Sequence, residues 1–134
     1  MNKLFPLLLL LFSAFGFANN SDEHNLASKP ELIKKLAEEG LKIDETKYTV
    51  FLKGLVRGEK IALINVNGMV CDFCARGIEK TFMKSGNVKK VDVDLDAGKV
   101  LIAYALGAKI NFREIKEKIT ANGQTAINMK IIEL

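Results

Sequence analysis

Two stretches of this 134-residue chain, Ile61–Val66 and Val100–Leu106, are apolar on both parities, the second apart from Tyr104. A strand with one wet face alternates apolar and polar residues, whereas a short run apolar on both parities belongs in a sheet interior. The residues around them supply the remaining elements. Asn67-Gly68 breaks the first run, and Cys74–Met83 then sets Ile78 and Phe82 at i and i+4 beside Ala75, leaving Arg76, Glu79 and Lys80 to water. That is an amphipathic helix, closed by Ser85-Gly86-Asn87. Val91, Val93 and Leu95 alternate with Asp92, Asp94 and Asp96, which predicts a strand with one buried and one wet face. Ala97-Gly98 turns the chain into the second apolar run. Asn111 can cap a second helix with Glu114 completing a capping box, Phe112, Ile115 and Ile119 facing inward, and Asn122-Gly123 at its end. Ala126–Ile132 is the last strand.

The order strand, helix, strand, strand, helix, strand predicts an α+β fold over residues 61–134. It is a ferredoxin-like βαββαβ sandwich, an antiparallel four-stranded sheet with two helices on one face. This topology puts the first and third strands in the middle, where the two apolar runs fall. The Asp-bearing strand lies on an edge, where charge discourages aggregation.

Ahead of this domain the chain reads differently. Met1–Lys3 carries one charge, Leu4–Phe17 is an apolar run interrupted by Pro6, and Gly16-Phe17-Ala18 is small-x-small before the polar Asn19–Glu23. Residues 1–18 therefore read as a signal peptide cleaved after Ala18; the apolar run spans about 22 Å as a helix, short of the roughly 30 Å of a bilayer core. The expected location is periplasmic or otherwise secreted, with no stable membrane insertion after cleavage. Residues 19–60 form an N-terminal extension, beginning with a polar leader to Lys29. A short amphipathic helix follows, with Pro30 at its first position, Leu32, Ile33, Leu36 and Ala37 on one face, and Gly40 as its stop. Tyr48, Val50 and Leu52 alternate with Thr49, Phe51 and Lys53, a possible strand.

The chemistry concentrates between the first strand and first helix, at Gly68-Met69-Val70-Cys71-Asp72-Phe73-Cys74. Two thiols separated by two residues at a helix N-terminus can converge on one ion. The free N–H groups and the helix dipole there favour thiolate, with Arg76 placed to add to that field. Counting ligands selects the ion. A closed zinc site needs four, and the chain holds two Cys and one His, the distant His24, which reads as a solvated leader residue. Zinc is thus disfavoured. Two thiolates suit a soft heavy-metal ion content with low coordination, copper(I) or mercury(II). Such an ion stays open to a second protein's thiols, so the reading is capture and hand-over, with no enzymatic step.

The sequence Gly-Met-x-Cys-x-x-Cys, then Gly77-Ile78-Glu79-Lys80 and Gly86-Asn87-Val88 before an alternating strand, resembles the heavy-metal-associated domain family. That family includes copper chaperones, the N-terminal domains of metal-pumping ATPases and the periplasmic mercury-binding protein, the branch an exported chain most resembles. The resemblance implies Cys71 and Cys74 as metal ligands and Met69 as a buried peg beneath the loop. It also implies a metal-accepting partner such as a membrane transporter. Three positions depart from the family pattern: Val70 where Thr is common, Phe73 between the thiols where small residues are frequent, and Gln124 in place of an aromatic or Lys.

The competing class is a thiol–disulfide redox protein, because Cys-x-x-Cys before a helix also marks thioredoxin-like folds. Against it, the chain has no Trp and no Pro after Pro30. Asp92, Asp94 and Asp96 lack the Gly and final Glu of a calcium loop. The charge argues against nucleic acid: of the formal +4, residues 1–18 carry +1, residues 19–60 cancel, and residues 61–134 carry +3 without a basic stripe. Lys80, Lys84, Lys89 and Lys90 form a modest basic edge, read either as a solvated surface or as a docking face for an acidic metal partner.

Overall fold

The computed structural model describes residues 30–38 and 45–134. The expected signal peptide over residues 1–18, the leader with His24, and Gly40 lie outside the described residues. The elements are α1 (Pro30–Glu38), α2 (Glu45–Leu52), β1 (Lys60–Asn67), α3 (Asp72–Met83), β2 (Val88–Asp94), β3 (Lys99–Tyr104), α4 (Phe112–Ala121) and β4 (Thr125–Glu133). The strands form one antiparallel sheet in the order β2-β3-β1-β4. From β1 onward this is the ferredoxin-like βαββαβ fold, with the two apolar runs at its centre. No described helix is long and apolar enough to cross a membrane.

One face of the sheet packs as the periodicity requires. Ala62, Ile64 and Val66 of β1 and Val100, Ile102 and Tyr104 of β3 meet Ile78 and Phe82 of α3 and Ile115 and Ile119 of α4 in one buried cluster. The two helices cross closely at Gly77. A Cβ there would stand 2.8 Å from Asn122 Oδ1, an atom held in place because Asn122 Nδ2 donates to Thr81 Oγ1 and to Lys118 O. Asn111 caps α4 by accepting from Arg113 N at 2.9 Å. Glu114 does not show the predicted capping-box bond; its Oε1 accepts from Lys118 Nζ, one turn on.

The other face carries the largest departure from expectation. Residues 48–52 are not a strand: α2 lies across the sheet and buries Tyr48, Phe51 and Leu52, with Leu55, against Ile61, Leu63, Leu101, Ala103 and Ile132. The spacing 48, 51, 52, 55 is helical, and Thr49 and Val50 are its exposed positions. The molecule therefore has three layers, and the two central runs are apolar on both parities because both faces are covered. The cover is partial. Nearer the Asn67 end of β1, the same face carries a polar row across three strands, where Lys99 Nζ donates to Asn65 Oδ1 and Asn65 Nδ2 to Asn128 Oδ1, each at 2.6 Å.

Edge strand β2 holds this added layer down, which corrects two further expectations. Lys90 Nζ donates to the carbonyl oxygens of Val50 (3.3 Å), Phe51 (2.9 Å) and Lys53, satisfying orphan acceptors at the C-terminus of α2, where Gly54 (φ 83°) ends the helix. Lys89 Nζ reaches Gly54 O and Glu59 Oε1, the latter at 2.6 Å, while Glu59 Oε2 accepts from Val56 N. Glu59 is almost wholly buried, and this pairing is what a carboxylate needs there. Lys89, which stays exposed, and the half-buried Lys90 thus have their ammonium groups bonded within the molecule and do not offer a free basic docking face. Nor is the Asp side of β2 simply wet. Asp92 pairs with Lys47 of α2 at 3.1 Å, and Asp94 is buried, its Oδ1 accepting from Ala97 N in the turn. The Tyr48 hydroxyl lies buried near both carboxylates without a hydrogen bond of ordinary geometry. Burial first, then the charges of Asp94 and Asp92, raise its pKa far above the usual tyrosine value.

Candidate metal centre

The loop between β1 and α3 is positioned by three anchors. Gly68 adopts φ 88°, open to glycine at little cost, and turns the chain off the end of β1. Its open side faces the backbone of Gly123 and Gln124, each 3.9 Å from where a Cβ would stand. Met69 is buried in the main core. Cys71, extended at φ −148° and ψ 152°, is the N-cap of α3, so the helix begins on the first thiol and carries the second in its opening turn.

The two sulfurs lie 2.6 Å apart, both residues half-buried and neither in a disulfide. Cys74 N donates to Cys71 Sγ at 3.4 Å, and Cys71 O accepts from the N–H groups of Cys74 and Ala75. The pair divides its acidity. The Cys74 thiol donating to Cys71 is the main cause that lowers the Cys71 pKa, the backbone N–H groups of Cys74 and Phe73 add to it, and partial burial and the charge of Asp72 oppose it. Cys74 is pushed up, chiefly because its proton is held by Cys71. The sequence placed the activating field at both thiols. Backbone N–H groups do lower both thiols, but at Cys74 the proton shared with Cys71 and partial burial outweigh them. Arg76, exposed on α3, is not among the groups that shift either thiol.

Among the described residues, no cluster of three or more His, Cys, Asp or Glu side chains could hold a metal ion. The donor set the structure brings together is two sulfurs. Gln124, the departure noted in sequence, is buried beside the loop, and its Oε1 has no hydrogen-bond partner.

A small βαββαβ sandwich with a thiol pair capping its first helix is the architecture of a domain that presents sulfur at one end of a rigid sheet. The sequence pattern of the heavy-metal-associated domain matches residues 63–124. The copper chaperone CopZ of Staphylococcus haemolyticus is 34% identical over 61 residues, spanning 46% of this chain and 88% of the relative. CopZ of Staphylococcus epidermidis strain RP62A is 33% identical over the same length and shares. The chain belongs to the heavy-metal-associated domain family. Among solved structures, a CopZ metallochaperone is 27% identical with a TM-score of 0.46, covering 50% of this chain and 98% of that one. Oxidized MerP from Ralstonia metallidurans CH34 is 22% identical with a TM-score of 0.46, covering 54% and 97%.

Proposed function

We propose that this protein is an exported carrier that captures a soft metal ion, copper(I) or mercury(II), between Cys71 and Cys74 and hands it to a second protein. The observation that carries the reading is the pair itself: two thiols on one helix start, one of them acidified. Loading needs a small opening. With sulfur–metal bonds of about 2.3 Å, an ion held in line separates two sulfurs by roughly 4.6 Å, so the adjacent pair must spread to take it. Both side chains are half-exposed, which leaves them room to rotate. Copper(I) is favoured by the copper chaperones among the relatives, whereas mercury(II) rests on its softness and on the resemblance of an exported chain to the periplasmic mercury-binding branch of the family. Two-sulfur coordination leaves the ion accessible to an acceptor's thiols, such as those of a membrane metal transporter. Residues 1–18 direct export and are removed, so the mature chain starts at Asn19.

Titrating reduced protein with Cu(I), Hg(II) and Zn(II) tests this. The expectation is one soft ion per chain, with Zn(II) weaker and binding lost in Cys71→Ala and Cys74→Ala. Free ion at a thousandfold excess over Kd should stabilise the fold by about 4 kcal/mol. Reduced protein that ignores soft cations, or binds them equally without both thiols, overturns the proposal.

A further inference from the structure

We infer that the free edge of β2 pairs antiparallel, across a two-fold axis at Val91, with the same edge of a second copy of this chain. The two four-stranded sheets then run on into one, with a thiol pair at each of its opposite ends.

Strand β2 ends the sheet, and among the described residues it pairs with β3 alone. In an antiparallel ladder alternate residues turn N–H and C=O away from the partner, so the outer side of β2 offers a row of unfilled donors and acceptors. That edge is the floor of an open groove of about 660 Å³ between the two helical layers. Val50 of α2, 64% exposed, and Met83 of α3, 51% exposed, line it together with the half-buried Val91.

The charges of β2 say which strand fits. Lys90 and Asp92 oppose Ala103 and Leu101, which places both on the face that α2 covers. Facing residues of adjacent strands share a face, where opposite charges attract and like charges repel. A two-fold at Val91 sets Lys90 opposite Asp92 of the second copy, and Asp92 opposite its Lys90. Moving the axis to either neighbouring residue sets Lys90 against Lys90 or Asp92 against Asp92. The strand therefore carries its own complement, and charge bars the adjacent registers. Each ammonium keeps its bonds to α2 and acts on the facing carboxylate through its field. Burial first, then the charges of Lys89 and Lys53, lower the Lys90 pKa, a crowding that a facing carboxylate relieves. Strand β2 runs from the Lys60 end of the sheet toward the Asn65 end, where β1 leads into the thiol loop. Rotation about Val91 sends the two loops in opposite directions, so no ion bridges the copies.

Sedimentation velocity of the reduced full chain, with a chelator present and from about 1 µM to about 1 mM protein, should show a monomer–dimer equilibrium. It should be unchanged in Cys71→Ala/Cys74→Ala. Val50→Asp and Met83→Glu, at exposed side chains, should each weaken association about tenfold without lowering the melting temperature, a margin within what burying one apolar side chain supplies. In the Cys71→Ala/Cys74→Ala background, Val91→Cys should give a disulfide-linked dimer on mild oxidation with diamide, because facing Cα atoms about 4.5–5.5 Å apart suit that bond. Asp96→Cys, exposed beyond the strand, should not. A chain that stays monomeric over that range, a dimer that needs the thiols or a metal, or Val91→Cys linking no better than Asp96→Cys overturns the proposal.

Discussion

Lys90→Met isolates the contribution of the ammonium that ties α2 to the sheet. The substitution keeps an unbranched side chain and removes the charge, so the carbonyl oxygens of Val50, Phe51 and Lys53 lose their common donor. Hydrogen bonds to a charged group contribute about 1.5–3 kcal/mol when enclosed, and a cation at a helix C-terminus about 0.3–1 kcal/mol. Lys90 is half-buried, and water can reach the vacated carbonyls, so the lower part of that range applies. We expect a loss of about 1.5–2 kcal/mol and a melting temperature lower by roughly 6–15 °C. Thermal unfolding followed by circular dichroism gives the total, and amide hydrogen exchange locates it: amides of α2 should lose protection before those of α3 and α4. Lys84→Met, at an exposed lysine, is the control and should change stability by less than about 0.5 kcal/mol. If Lys90→Met melts with the control, or if protection falls equally in all helices, the capping argument is wrong.

Two further outcomes concern titration. Cys71, its pKa lowered by the bond from Cys74, should alkylate with iodoacetamide at lower pH than an ordinary thiol and ahead of Cys74, and Cys74→Ala, which removes the donor, should move Cys71 back toward the ordinary value; simultaneous modification of both thiols would contradict this. Both tyrosines of the chain are held protonated, Tyr48 by burial and the nearby carboxylates, and Tyr104, raised to about 12, by burial and then Glu114. Folded values above the unfolded value of about 10 mean that the native state binds more protons, so this stabilisation is complete below about pH 10 and is lost as pH rises beyond it. The phenolate absorbance should stay silent near that pH and rise together with unfolding. Tyrosinate appearing in the still-folded protein would count against the burial of both rings.

How much could be read from the chain divides by range of interaction. The six elements from Ile61 onward, and the central place of Ile61–Val66 and Val100–Leu106, follow from local periodicity joined to one topological rule. The thiol pair was legible because its elements are neighbours in sequence. Residues 48–55 misled because Thr49 and Val50 are β-branched and the apolar positions alternate over a short window; only the sheet face beneath selects 48, 51, 52 and 55. Lys89 and Lys90 lie at the surface as read, but their bonds to the α2 end were not legible because the acceptors lie 30 or more positions earlier in the chain. No local pattern announces such a bond. Glu114 had two partners within reach by spacing, the cap and Lys118, and the ammonium won.

The layer formed by α2 stops short of the thiols, and the row of Asn65, Lys99 and Asn128 fills the ground between. Anchorage and chemistry therefore sit at opposite poles of one sheet. Loosening that extra storey bares apolar side chains of β1 and β3 at one pole, while at the other the loop carrying the sulfurs is pinned from the opposite face by Met69.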